Sequence, residues 1–428
     1  MSKTSYSADF EKALEIGRPP NIVELFPNSK ALLVSGKVVD RAMLAKGQSV
    51  AMAANGRSRF VIDGALKAAQ KANAALIIEI ARSEGGAAAY CAVSLWNMAM
   101  QVDAACNELG ITVPVAIHAD HYGLKAPKDV GPAKVEIPSL FEAGITSIAI
   151  DASHMPDADN LKTNLELNPL VPDWAGLETE VGEIKGEQGL STKEDALFLI
   201  QGLNAHGISP EWIALNNGST HGLEASGQGI QVPLTAEIHT ALEPYKVSGA
   251  QHGTSGNSSD RLRDIASKTH TTKANVATAL QMVSWGLEVN DDGNANMVDG
   301  QFVKVKGEGM SEDMWAEMVA YADDKGWKAG DYKKLNLPFE NKLMGQSREI
   351  RARMVDRVTD FVYNMLANVL NASDTAPLGI EAILKAGSYD LGAKAEKIED
   401  AAEWTEAKID EKAAALEGDK GPEGDFDD

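Results

Sequence analysis

From about residue 48 the chain alternates short β-rich runs with Ala-rich stretches whose apolar positions recur at helical spacing. Eight runs read as strands in order: QSVAMAA, ALIIEI, VPVAIHAD, TSIAID, GLETEV, WIALNN, KVSGAQ and TKANVA. The fifth is charged where the others are mostly apolar. Helix-length spacers between strands are the mark of a parallel sheet with crossover helices, and eight such units predict an α/β chain closed as a (β/α)8 TIM barrel. On this reading residues 1–47 are an N-terminal lead-in, helical with a loop at GRPPNIVELFPNSK, and residues 48–300 are the barrel. Residues 301–410 are a helical extension that closes the barrel and offers an oligomer surface, and 411–428 an acidic disordered tail.

Polar residues gather where each predicted strand gives way to its loop: Asn55, Ser83, Asp120 with His121, Asp151 with His154, Glu180, His221, His252 and Asn275. Singly, each is an ordinary polar entry into a loop. In a (β/α)8 barrel all these ends converge on one face, where active sites are built, and the convergence is the stronger observation.

Charge narrows the partners. The 428 residues carry a formal net charge of -22, a field that repels nucleic acid and anionic membranes alike. An anionic ligand therefore needs locally placed cations, backbone amides or a metal. The N-terminal MSKTSYSADFEKALEIGRPP has no signal-peptide core, and no apolar run approaches membrane-spanning length, so a cytoplasmic protein without a membrane role is expected. The two cysteines, Cys91 and Cys106, fall in what reads as one helical stretch, which argues against a disulfide and for a reducing compartment.

The strongest local motif is His118-Ala119-Asp120-His121 at the end of the third strand. Two histidines bracketing an aspartate suit either a structural pairing or metal coordination. His221, in NNGSTHG after the sixth strand, and His252, in HGTSG after the seventh, favour the second. His121, His221 and His252 would supply three nitrogen ligands from three loops of one face and leave a position open for substrate. His206, His239 and His270 fall on helical or helix-flanking segments and read as packing or surface residues. Gly253, Thr254 and Ser255, ahead of a helix starting near Asp260, can form an anion nest of backbone N–H groups and hydroxyls.

With these residues in place, the chain resembles the class II fructose-bisphosphate aldolases and their tagatose-bisphosphate relatives, in consistent order over roughly residues 50–280. HADH, IDASHMPD, LETEVGEIKGEQG, STHG and QHGTSG carry the likeness. The resemblance implies His121, His221 and His252 as ligands of a divalent cation, zinc or else cobalt, manganese or iron. It places Glu180 and Asp157 at an alternative metal position and also allows a monovalent cation. Asp120 is implied to exchange a proton with the substrate's C4 hydroxyl, and Glu187, in an acidic loop, to handle the carbon proton. Asn275 is implied to contact the enediolate. Asn55, Ser83, Gly222, Gly253, Thr254, Ser255 and Lys273 are implied to meet substrate or phosphate. The activity so implied is reversible cleavage of fructose 1,6-bisphosphate to dihydroxyacetone phosphate and glyceraldehyde 3-phosphate, a step of glycolysis and gluconeogenesis, by a homodimer or homotetramer. A metal that spreads the developing enediolate charge makes a Schiff-base lysine unnecessary.

The match departs at the distal end of the substrate. Ala225 stands where many members carry a phosphate-binding lysine, and Leu343 near the place of an arginine. Ala277 and Ala279 replace acidic residues after the asparagine of the eighth strand. Either other cations serve the distal phosphate, with Arg57, Arg59, Arg82 and Lys273 nearest in sequence, or the substrate is another ketose phosphate such as a tagatose bisphosphate or a ketose monophosphate. Rival readings are a Schiff-base aldolase using Lys273, a metal-dependent hydrolase on the same barrel, and a non-catalytic sugar-phosphate binder. The histidines count against the first, the Asn55-Gly56 end of the first strand against the second, and Asp120 against the third.

Overall fold

The computed structural model describes residues 7–87, 90–182, 189–219, 229–290 and 293–416. All eight anticipated strands are present: β1 Ala51–Asn55, β2 Leu76–Ala81, β3 Val115–Gly123, β4 Ser147–Asp151, β5 Gly176–Val181, β6 Trp212–Leu215, β7 Ser248–Gln251 and β8 Thr271–Val276. Each pairs in parallel with its neighbours in sequence, and β8 returns to β1 with Ala53 opposite Asn275, which closes the barrel. Side chains alternate between two environments, as a pleated strand requires. Outward residues such as Met52, Ile78, Ile117 and Ile148 pack under the surrounding helices in the largest apolar cluster. Inward residues at the lower end are small or flat, including Ala51, Ala53, Ala116 and Trp212.

This alternation accounts for the charged fifth strand. Leu177 and Val181 face the helices, while Glu178 and Glu180 turn into the barrel and are almost fully buried. A strand that looks too polar for a core is one whose inner face serves chemistry.

The lead-in is the floor of the barrel. Helix Gly36–Lys46 lies across its N-terminal end, and Leu33–Val34 adds a short parallel pairing to the start of β3. Gly36 approaches so closely that a Cβ there would stand 2.6 Å from Ser147 Oγ. Asp40 in this helix accepts a hydrogen bond from Thr272 Oγ1 at 2.7 Å and pairs with Lys394 Nζ at 2.8 Å, so the C-terminal segment is pinned beneath the same floor. The loop expected at GRPPNIVELFPNSK contains a short helix, Pro20–Leu25.

The C-terminal region closes the barrel, as expected of the extension. The helix that completes the outer ring is Arg348–Asn364, packed against Arg59–Ala72, the helix after β1. Val358 sits where a Cβ on Gly64 would be 2.5 Å away, so small size permits this crossing. The barrel's eighth outer helix therefore falls inside the segment read as an extension beyond residue 300. Residues 286–290 and 293–347 belong to an excursion between β8's own short helix, Thr278–Trp285, and this closing helix. The excursion has its own apolar cluster, including Trp285, Trp315, Tyr332, Phe339 and Leu343.

Two smaller expectations are corrected. Cys91 precedes the helix Met98–Leu109 that carries Cys106; both thiols are free and buried, because the chain turns at residues 90–97 rather than running as one helix. Helix Glu406–Ala414 carries regular structure into the segment expected as a tail, with Ile409 buried beside Trp404, and residues 417–428 lie outside the described residues. No helix among the described residues is long and apolar enough to cross a membrane.

Two measurements test this packing. Substituting Gly64 by valine overpacks the helix crossing, and the urea midpoint should fall by the equivalent of about 1–3 kcal/mol; an unchanged midpoint rejects the tight crossing. His239, buried behind β7 with His270 beside it, is held down at about 3, chiefly by loss of hydration. Its folded value lies below the unfolded value of about 6.5, so its contribution is complete above that pH and shrinks by about 1.4 kcal/mol per unit as the pH falls towards 3. The loss of stability between pH 7 and pH 5 should accordingly be shallower in H239L than in the parent protein, read from urea midpoints across that range.

Candidate functional site

The end of β3 presents a geometric problem. Neighbouring residues on a strand face opposite sides, yet Asp120 and His121 both line the cavity at the barrel mouth. The solution is a bulge: the pairing of β3 with β4 shifts register between Ala119 and Tyr122, and His121 takes a left-handed φ of 39°. A non-glycine residue in that region is uncommon, and bulges beside sites commonly re-aim a side chain. Here the bulge swings the His121 ring inward beside Asp120.

His252, just past β7, meets His121 edge-on with ring centroids 4.2 Å apart. Ligand-capable atoms of Asp120, His121 and His252 all lie within 4.8 Å of one another, as do those of His121, Asp151 and Glu180. His121 Nδ1 is 3.4 Å from Asp151 Oδ2 and 3.3 Å from Glu180 Oε2. His252 Nε2 contacts Glu178 Oε1 at 2.7 Å, which fixes the ring, while its buried Nδ1 has no hydrogen-bond partner among the described residues and lies 3.8 Å from Glu180 Oε1. An orphaned, buried imidazole nitrogen among carboxylates is what a metal-ligating histidine looks like without its ion. Burial and then Asp151 push Glu180 up to about 7.

Beneath this group lies Lys273, fully buried inside the barrel. Its Nζ is 2.8 Å from Glu178 Oε2, 3.2 Å from Glu79 Oε2 and 3.3 Å from Asp120 Oδ1. Burial alone would discharge it; Glu178, Glu79 and Asp120 outweigh burial and hold it protonated above the ordinary lysine value. Burial likewise opposes ionisation of Asp120, but Lys273 and then His121 keep its carboxylate charged below the usual range. Glu79 goes the other way, raised by burial and by Asp120. Asn275 Nδ2 donates to Asp120 Oδ1 at 2.9 Å, so β8 grips this carboxylate with two side chains spaced two residues apart.

The expected residues thus divide. Asp120, His121, His252, Asn275, Asn55, Gly253, Thr254 and Ser255 meet around one cavity of about 610 Å3, with Glu180 within reach of His121. Thr254 Oγ1 donates to the Asn275 carbonyl, which ties the glycine-rich turn to β8. Lys273 does not reach this cavity; its ammonium is spent inside the barrel, so neither substrate contact nor a Schiff base suits it. Ser83 lies exposed on the short helix Arg82–Gly85 and points away from the cavity lining, where Glu84 takes its place. Asp157 begins helix Asp157–Leu167, and among the described residues the carboxylate grouped with His121 and Glu180 is Asp151. His221, Gly222 and Glu187 lie outside the described residues.

Five participants were missed from sequence. Glu79 interrupts the apolar run ALIIEI, and a carboxylate in a buried strand is a usable signal. Glu178 could have been found by the two-residue period from Glu180. Lys328, Lys333 and Lys334 line the cavity from the excursion, and nothing in the sequence ties them to it.

Comparison with known proteins bears on the family and the fold. The family model described as Fructose-bisphosphate aldolase class-II matches residues 37–323. A fructose-bisphosphate aldolase of Streptococcus pyogenes is 29% identical over 187 residues, which are 41% of this chain and 57% of that protein. One of Staphylococcus aureus is 31% identical over 124 residues, 29% of this chain and 39% of that protein. These matches span little more than half, or less, of the relatives' own length. Among solved structures, the YdjI aldolase of Escherichia coli K12 superposes with a TM-score of 0.53 at 14% identity, over 80% of this chain and 99% of the other. The fructose-bisphosphate aldolase of Campylobacter jejuni gives 0.52 at 19% identity, over 81% and 97%. At such identities the superpositions establish a shared fold.

Replacing Lys273 with methionine removes the cation from three buried carboxylates, and stability should fall by about 3–5 kcal/mol. A urea midpoint within error of the parent protein sinks the assignment of Lys273 as the ionic centre of the barrel.

Proposed function

Because the chain belongs to the class II fructose-bisphosphate aldolase family, we propose that it catalyses reversible, metal-dependent aldol cleavage of fructose 1,6-bisphosphate to dihydroxyacetone phosphate and glyceraldehyde 3-phosphate. The observation that carries this reading is the juxtaposition of Asp120, His121 and His252, with an unpaired His252 Nδ1, at the mouth of the barrel. His121 and His252 would hold a divalent cation such as zinc, with His221 the third nitrogen ligand. Glu180 and Asp151 offer oxygen ligands on the far side of His121. Bound there, the cation supplies Lewis-acid polarisation of the substrate's carbonyl and hydroxyl oxygens.

The protein's own groups do the rest. Asp120 accepts the C4 hydroxyl proton during cleavage and returns it during condensation. Its ionised state at neutral pH, set by Lys273, suits the first task. Asn275 is fixed by its hydrogen bond to Asp120 and offers its side-chain oxygen, buried and without a partner, to the reacting region. The backbone N–H groups of the Gly253–Ser255 turn donate to the phosphate next to the carbonyl. Glu187 handles the carbon proton from its loop.

A second reading keeps the chemistry and changes the sugar to a tagatose bisphosphate or a ketose monophosphate. Leu343 favours it in part, since its side chain is packed among Trp315, Phe339 and Met354 and has no role at the mouth. Assays over a panel of ketose mono- and bisphosphates decide between the two.

A chelator should abolish triose phosphate release and added zinc restore it, whereas cleavage that persists in metal-free protein removes the proposed mechanism. D120N should retain bound metal and lose about 100- to 10,000-fold in kcat; loss of metal in step with activity instead makes Asp120 a ligand rather than the proton acceptor.

A further inference from the structure

Five buried side chains form a continuous hydrogen-bonded chain from the excursion to the rim of the cavity. Asn55 ends β1 and Arg57 follows it, Glu84 sits on the short helix after β2, Gln281 on the helix after β8, and Asn336 opens helix Asn336–Met344 of the excursion. None of the five is more than 4% exposed. Asn336 Nδ2 donates to Gln281 Oε1 at 3.0 Å, and Arg57 Nη1 donates to the same oxygen, also at 3.0 Å. Arg57 Nε donates to Glu84 Oε1 at 2.8 Å, and its Nη2 pairs with the same carboxylate. Asn55 Nδ2 donates to Glu84 Oε2 at 2.5 Å. The backbone adds a second tie: the Leu337 N–H donates to the Tyr90 carbonyl at 3.0 Å, and Tyr90 Oη donates to Glu84 Oε1 at 3.1 Å. Asn55, Arg57 and Glu84 line the cavity, with Gln281 and Asn336 behind them.

Each amide in this chain has its orientation decided by a neighbour that cannot reverse. An ionised carboxylate only accepts, so Asn55 must turn its amino group towards Glu84. Burial opposes that ionisation, but Arg57 and then Asn55 hold Glu84 below the usual carboxylate range. A guanidinium only donates, so Gln281 must turn Oε1 towards Arg57. Asn336 puts a second donor on that oxygen, and a reversed Gln281 amide would set its own N–H groups against both. Gln281 keeps this orientation although its Nε2 has no partner among the described residues. At the other end of the chain the result is polarity: Asn55 Oδ1 is buried and has no partner among the described residues, so only a donor can satisfy it.

We propose that Gln281 and Asn336 are positioning residues for Asn55: acting through Arg57 and Glu84, they fix its amide so that Oδ1 accepts a hydrogen bond from a hydroxyl of the bound ketose phosphate. The proposal rests on the aldolase reading for the identity of the ligand, and adds to it the side chains that set the polarity of this contact. A ligand oxygen that carries no hydrogen meets a second acceptor there and is disfavoured, so the position distinguishes a hydroxyl from a carbonyl. Asn336 gives the excursion a part in recognition without touching the ligand. Its effect reaches the cavity only through Asn55.

The test is a pair of double-mutant cycles on metal-loaded full-length protein. The readout is kcat/KM for cleavage of fructose 1,6-bisphosphate, or of whichever ketose phosphate in the panel the parent protein cleaves fastest. N55A should lower kcat/KM by about 30-fold, and Q281M and N336A by about 10-fold each. In the N55A background the same two substitutions should change kcat/KM by less than about 2-fold, because the group they position is gone. Bound metal should stay at the parent level throughout. A merely structural role gives the opposite pattern, with equal losses whether or not Asn55 is present. Gln281 and Asn336 lie on different elements, so one variant that fails to fold leaves the other cycle complete. Losses that persist in the N55A background, or the absence of any loss in N55A or in both single variants, overturn the positioning role and leave the aldolase reading intact. A parent protein that cleaves no ketose phosphate with metal bound removes the aldolase reading, and with it the contact that Gln281 and Asn336 would set.

Discussion

One ammonium group sets the electrostatic plan of this molecule. Lys273 Nζ stands inside the barrel within 3.3 Å of carboxylates from β2, β3 and β5. Without it, Glu79, Asp120 and Glu178 could not share so small and dry a space, because unpaired charge in a barrel interior costs several kcal/mol per group. With it, each carboxylate acquires a distinct state. Asp120 is ionised, Glu178 is ionised and grips His252, and Glu79 is driven towards its neutral form. The upper layer of histidines and acids rests on this arrangement, since the Glu178 contact orients the His252 ring.

The eight strands were readable because their alternation of apolar runs and helix-length spacers reflects a repeated physical unit. The convergence of Asp120, His121 and His252 was readable for the same reason: strand ends of a closed barrel must meet. Register within the site was not. That Asp120 and His121 share a direction depends on a bulge and a left-handed φ at His121, neither of which side-chain periodicity encodes. Lys273 was placed near the mouth from its position in TKANVA; the two-residue step to Asn275 puts it one layer deeper, among the carboxylates. Asp151 and Asp157 flank the same loop, and sequence resemblance chose the one on the helix rather than the one on the strand.

The docking of the segment before the closing helix was not legible in the sequence. Composition and helical patterning describe it well enough, but say nothing of where a helical segment docks. Its apolar residues cluster on Phe60 and on Met282 and Trp285 of the short helix after β8. The closing helix Arg348–Asn364 then follows, and its fit depends on the absence of a side chain at Gly64. The extension expected to close the barrel does so through this helix.

That detour has a consequence for how the molecule comes to exist. The contacts between Arg348–Asn364 and Arg59–Ala72 join the two ends of a long stretch of chain, and long-range closures of this kind are entropically slow. Emergence from the ribosome proceeds from the N-terminus, so the strands bearing Asp120 and His252 are available well before the helix that seals the ring. Until it docks, the apolar cluster of the excursion lacks Met354 and Val355 of the closing helix. Completion of the binding face and completion of the fold are thus the same late event, and a chain caught before it would carry the catalytic side chains without a finished vessel to hold them.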